Sequence, residues 1–65
     1  MRRLLAVKDG KKLALLKENL EGEWKVFQYS NRQTYSEKGV WTTEQQAKNF
    51  VKNFIDAGVT FEEKN

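Results

Sequence analysis

The chain has no cysteine, no histidine and no proline among its 65 residues. Without cysteine there is no disulfide framework and no thiolate metal site. Without histidine, the commonest metal ligand and the commonest general base are missing together. What remains is a carboxylate-only site for magnesium or calcium, and the nine acidic residues are scattered. The four glycines are isolated, so there is no glycine-rich phosphate loop. No proline-rich linker or internal repeat divides the chain, which reads as a single compact domain over residues 1–65. Long apolar runs are absent too. MRRLLAVKDG has two arginines and then only four apolar residues, too short for a secretory signal or a membrane span. The expectation is a soluble, cytoplasmic protein with no cofactor, no metal and no membrane partner. A chain this short is near the lower limit for unstapled folding and has little room for a pocket, so an enzyme is not expected.

The clearest signal present is TTEQQAKNFVKNFIDAG, from Thr42 to Gly58. Ala47, Phe50, Val51, Phe54 and Ile55 fall at i, i+3, i+4, i+7 and i+8, the stripe of an amphipathic helix. Lys48, Asn49, Lys52, Asn53 and Asp56 occupy the opposite side and are expected to stay wet. Thr42 or Thr43 is placed to cap a helix over residues 43–57, with Gln45 and Gln46 three positions on. Gly58 stands where a left-handed C-terminal cap belongs.

The first forty residues read as strands. RLLAVK (3–8) and KLALLK (12–17) are apolar runs joined through Asp9-Gly10, the signature of a hairpin with a type I′ turn. Leucine and alanine favour helix, so a short helix over 12–20 competes; the turn and the short length decide for strand. EWKVFQYS (23–30) is the clearest strand, rich in aromatic and β-branched residues. Ser30-Asn31-Arg32 suggests a turn, residues 33–36 a weaker returning strand, and Trp41 a staple on the helix start. Val59-Thr60-Phe61 could add a short final strand beside the first. The fold class expected is α+β: a small antiparallel sheet of three to four strands packed on one C-terminal amphipathic helix.

One helix covers one face of such a sheet. Trp24 and Val26 are assigned to the covered face, with Leu5, Val7, Leu13 and Leu15 from the hairpin. That leaves Leu4, Lys8, Lys12, Lys25, Phe27, Tyr29 and Tyr35 outside, although a one-residue slip exchanges the faces. Arg2 and Arg3 read as exposed and solubilising, and Arg32 sits in a turn suited to a phosphate or an acidic partner. The net charge is only +3, but residues 1–38 carry nine basic and five acidic side chains, +4, against −1 for residues 39–65. The basic excess therefore belongs to the sheet, where lysines serve either to attract a polyanion or to keep strand edges soluble. Lysines beside aromatic rings suit nucleic acid, the cations meeting phosphates and the rings stacking on bases.

From Glu23 to Phe54, the run with Trp24, Arg32, Gly39, Trp41, Thr42 and Ala47 resembles the AP2-like, arm-type DNA-binding domains of phage and transposon integrases. The resemblance covers about half the chain. It implies a three-stranded sheet with one helix, and a sheet that reads the major groove through Lys25, Phe27, Tyr29, Arg32 and Tyr35. The Thr42…Ala47…Gly58-Val59-Thr60-Phe61 pattern also resembles the hybrid-binding domains of some ribonucleases H, and small phage proteins that inhibit host enzymes. The function expected is a small non-enzymatic nucleic-acid-binding protein of phage or mobile-element type. Its candidate contacts are Lys8, Lys12, Lys25, Phe27, Tyr29, Arg32 and Tyr35. The alternative is a protein-interaction module or enzyme inhibitor docking by the sheet face or an edge strand, as a monomer or a weak homodimer.

Overall fold

Five strands and one helix follow in the order β1 (Arg3–Lys8), β2 (Lys11–Glu18), β3 (Trp24–Tyr29), β4 (Tyr35–Trp41), α1 (Glu44–Phe54) and β5 (Thr60–Lys64). They come from a computed structural model described over residues 1–30 and 34–64. The sheet is antiparallel throughout, in the order β4-β3-β2-β1-β5. The first four strands form a meander, and the last returns after the helix to pair with β1. The returning strand after residue 30 lies at Tyr35–Trp41 rather than 33–36. The turn expected at residues 31 and 32, and Arg32 with it, lies outside the described residues.

Local chemistry fixes each reversal. Asp9 and Gly10 adopt φ of 53° and 77°, both left-handed, as a type I′ turn requires. The second turn is built around Asn19, whose Oδ1 accepts from the backbone N–H of Glu21 at 3.0 Å and of Glu23 at 2.9 Å. Thr43 caps α1 by accepting from the N–H of Gln46 at 3.1 Å. The Gln46 side chain reaches back to Thr42, accepting from its N–H at 3.2 Å and its hydroxyl at 2.7 Å. This is a capping box displaced by one residue.

The helix ends earlier than its periodicity suggested, at Phe54 instead of residue 57. The Val51 carbonyl takes the N–H groups of both Ile55 and Asp56, each at 2.9 Å. Gly58 is not among the residues of positive φ. Its N–H is instead donated to Asp56 Oδ1 at 2.8 Å, in a turn just beyond the helix end that uses no left-handed glycine. Phe54, the last helical residue, lies off the packed stripe and is 75% exposed, stacked on Phe50 at 5.2 Å between ring centroids. Asn49, Lys52 and Asn53 are exposed as expected.

The core lies between α1 and one sheet face. Leu4, Ala6, Ala14, Leu16, Trp24 and Val26 come from the sheet, Ala47 and Val51 from the helix, and Val59 from the segment before β5. Trp24 and Val26 are on the side expected of them. The hairpin is inverted: Leu4 is buried, whereas Leu5, Val7 and Leu15 lie on the uncovered face. Both parities of these two strands are apolar, so alternation alone does not choose between them. Long-range packing does: Ala6 and Ala14 are cross-strand partners with no exposed surface, on the side where Leu4, Leu16, Trp24 and Val26 meet Ala47, Val51 and Val59 in one core, and α1 itself lies closest to β3 and β4. Leu13 still joins the core, because it is the extra residue of a bulge between the Ala6–Ala14 and Val7–Lys12 pairs.

Gly39 shows how tightly one corner is closed. It lies opposite Val26, and the Trp41 indole lies over it, packed in turn on Phe50 at 4.5 Å. A Cβ at position 39 would stand 2.9 Å from Cη2 of Trp41. Gly39→Ala is therefore expected to destabilise by roughly 1–3 kcal/mol, since the indole packed on Phe50 must shift and the φ of 157° at this position is one that L side chains rarely adopt. Thermal denaturation reads this as a Tm lowered by about 4–8 °C per kcal/mol. An unchanged Tm would show that Trp41 is mobile.

Arg2, expected to be merely solubilising, ties three elements together. Its Nε and Nη2 donate to both carboxylate oxygens of Glu63 in β5, each at 2.8 Å, and Nη1 donates to Glu44 in the first turn of α1. The guanidinium also lies 5.4 Å from the centroid of the Trp24 ring. Lys48 pairs with Glu44 at 2.8 Å and lies over Phe61, so it too is only half exposed. Hydrogen bonds from Lys48 and then Arg2 hold the Glu44 carboxyl below its ordinary value of 4.5, and Arg2 does the same for Glu63. Asp56 is held below 3.8, first by the Gly58 N–H and then by Lys8.

All three carboxyls are easier to ionise folded than unfolded. Their contribution is fully present above the unfolded values and is lost as pH falls through the folded ones. Thermal stability is expected to be flat from pH 8 to 5, with no histidine to titrate, and to fall below about pH 4.5. Arg2→Met should make that acid limb shallower when Tm is followed from pH 7 to 2.

Candidate nucleic-acid interface

The face away from α1 is formed by alternate residues of all five strands, and the register sorts them into three rows. In the first, Lys64, Arg3, Lys17 and Lys25 are successive cross-strand partners on β5, β1, β2 and β3, and Val40 on β4 ends the row. The second row runs Glu62, Leu5, Leu15, Phe27 and Glu37 in the same sense. The third contains Thr60, Val7 and Lys12, with the Tyr29–Tyr35 pair on β3 and β4. Residues two apart along a strand are separated by roughly 7 Å, and so are the rows.

The cationic row is stronger in the middle than at its ends. Lys64 is 3.5 Å from Glu62, and Lys25 is 3.8 Å from Glu37. Arg3 and Lys17 make no ion pair among the described residues, and both are exposed. Beside them a shallow groove of about 410 Å³ is lined by Lys17, Lys25 and Phe27 together with Met1, Leu20 and the carboxylates of Glu18 and Glu21. At the other end of β3 the aromatic rings cluster. Tyr35 meets Phe27 edge-on at 5.2 Å and Tyr29 at 5.7 Å, and Lys12 Nζ is 5.6 Å from the Tyr29 centroid. Tyr35 remains 57% exposed.

Of the residues singled out from sequence, Lys12, Lys25, Phe27, Tyr29 and Tyr35 are brought together on this face. Lys8 is not. It shares the parity of Leu4 and Ala6, and its Nζ is 3.2 Å from both carboxylate oxygens of Asp56 beyond the helix end. Arg32 lies outside the described residues. Arg3, Lys17 and Lys64 were missed, as were the aliphatic residues Leu5, Val7 and Leu15. The inverted hairpin is the reason: once Leu4 and Leu16 face inward, their neighbours Arg3 and Lys17 must face outward together.

Among the described residues no three acidic side chains converge to hold a metal ion. No helix there is long and apolar enough to cross a membrane. No family model, curated protein or solved structure matches the chain.

Proposed function

We propose that this protein binds nucleic acid through the uncovered sheet face, with Arg3, Lys17, Lys25 and Lys64 meeting phosphates and Phe27, Tyr29 and Tyr35 meeting bases. The observation that carries this reading is the cationic row itself. Like charges directly opposite one another across a sheet are destabilising, each pair by a few tenths of a kcal/mol up to about 1. Solubility needs lysines, but it does not need four cations in consecutive cross-strand positions. Such an arrangement is explained when a polyanion completes it. A non-enzymatic role in a reducing cytoplasm suits a chain without cysteine or histidine, and the resemblance to integrase arm-type domains points the same way.

The test is fluorescence anisotropy with labelled nucleic acids across a salt series. Binding should weaken linearly on log–log axes. If the four cations of the row each neutralise one phosphate of a single strand, the slope is roughly −3. Absence of binding to every nucleic acid at low salt would sink the proposal.

One observation favours a second reading, a protein-docking face. Leu5, Leu15 and Phe27 form a continuous apolar strip across three strands. A protein partner would depend most on Phe27, and its affinity would respond weakly to salt.

A further inference from the structure

The three rows differ so strongly that they restrict which nucleic acid fits. We infer that the ligand is single-stranded DNA, its backbone lying along Lys64–Arg3–Lys17–Lys25 and its bases directed over Leu5, Leu15 and Phe27 toward Tyr29 and Tyr35. This rests on the nucleic-acid reading above and adds the substrate class to it.

Consider first the distribution of charge. A sheet entering a duplex major groove is flanked by a phosphate backbone on each side, about 12 Å apart. Cations would then be needed at both margins of the face. Among the described residues they line one margin only. The opposite margin, two rows or roughly 14 Å away, has Tyr29, Tyr35, Val7, Thr60 and a single lysine, Lys12, which lies over Tyr29. The middle row ends in Glu62 and Glu37, which repel phosphate from that row and hold the backbone to the margin. One backbone fits this pattern; two do not.

The row next to the cations determines the sugar. With phosphates on Arg3 and Lys17, the adjoining sugars lie over Leu5 and Leu15, which offer no hydrogen-bonding atoms. A ribose 2′-hydroxyl placed there would lose its water without gaining a partner, at a cost in affinity. Deoxyribose carries no such group. The same aliphatic floor favours the thymine methyl over a more polar base edge. Beyond it, Phe27 and the exposed Tyr35 supply the ring surface on which unstacked bases rest, a contribution that tolerates any sequence.

The experiment compares an oligothymidylate, an oligouridylate and a duplex at one salt concentration, each about ten nucleotides or base pairs long, within the range one small fold covers. The oligothymidylate is expected to bind about ten-fold or more tightly than either of the others. Tyr35→Ala should weaken it several-fold while leaving the salt slope unchanged, because a stacking contact releases no counterions. Methyl resonances of Leu5 and Leu15 should shift on titration, and those of Val51 on the helix side should not.

Equal or tighter binding of the duplex overturns the single-strand inference and leaves the nucleic-acid reading standing. Equal or tighter binding of oligouridylate overturns the assignment to DNA. Failure of all three probes overturns both readings. Concentration-dependent dimerisation in sedimentation, with the Leu5 and Leu15 methyls protected, would then assign the face to a second copy of the chain.

Discussion

Leu16→Ala is expected to leave the protein largely unfolded at room temperature. Leu16 has no exposed surface and is one of the three largest side chains that are completely buried, with Val26 and Val51. Truncating a buried leucine costs about 2–5 kcal/mol, as lost transfer energy plus the cavity left behind. A domain of this length rarely has more than about 3–5 kcal/mol to lose. The neighbouring Leu15 is the control. It differs by one position, projects from the opposite face and is half-buried, so Leu15→Ala should cost about 1 kcal/mol or less. Circular dichroism at 25 °C and thermal melts of the two variants test the register of β2 directly. Equal effects, or the larger effect at Leu15, would place the helix on the other face.

That same one-residue step marks how far the fold was legible in the sequence. The last strand beside β1 was open from sequence and is decided by long-range pairing, whereas the helix, a threonine cap at its start, the Asp9-Gly10 turn and the burial of Trp24 all follow from local signals. Each has a short-range cause: a 3.6-residue period, a hydroxyl before it, a residue pair that tolerates positive φ. The face of the first hairpin has none. RLLAVK offers Leu4 and Ala6 on one side and Leu5 and Val7 on the other, and local sequence does not rank them. What ranks them is the shared core, which closes Leu4, Ala6, Ala14 and Leu16 on the same side as Trp24, Val26 and Val51. The bulge that turns Leu13 inward is likewise a product of pairing. The helix end was misread because the chain leaves the helix at Ile55 and turns through Asp56, a side chain read as simply wet that accepts from Gly58, before reaching the glycine expected to cap it. Arg2 escaped notice because its partners, Glu44 and Glu63, are 42 and 61 residues away. The candidate site was half legible for the same reason. Its aromatic part is local to β3 and β4, whereas its cationic row exists only once four strands are laid side by side.

Lys17→Glu is expected to raise stability and weaken nucleic-acid binding in the same protein. Lys17 stands between Arg3 and Lys25, with a like charge directly opposite on each side. A glutamate there converts two repulsive pairs into two attractive ones, each worth a few tenths of a kcal/mol up to about 1. The side chain is exposed, so no burial is lost. Tm should rise by a few degrees, since about 1 kcal/mol corresponds to roughly 4–8 °C in a domain of this size. Affinity should move the other way. The reversal removes a cation from the centre of the row and sets a carboxylate against the phosphates. Binding should fall roughly ten- to a hundred-fold at low salt, and the slope of the log–log salt plot should become shallower by about one. Lys11→Glu provides the contrast: Lys11 is exposed at the start of β2, outside the row, and its reversal removes the same net charge. If Lys11→Glu weakens binding as much as Lys17→Glu, attraction is by net charge alone and the row has no special part. If Lys17→Glu leaves binding intact, the phosphates lie elsewhere. A more stable protein that no longer binds would show that these four like charges were arranged for a ligand, because the folded chain is better off without the one in the middle.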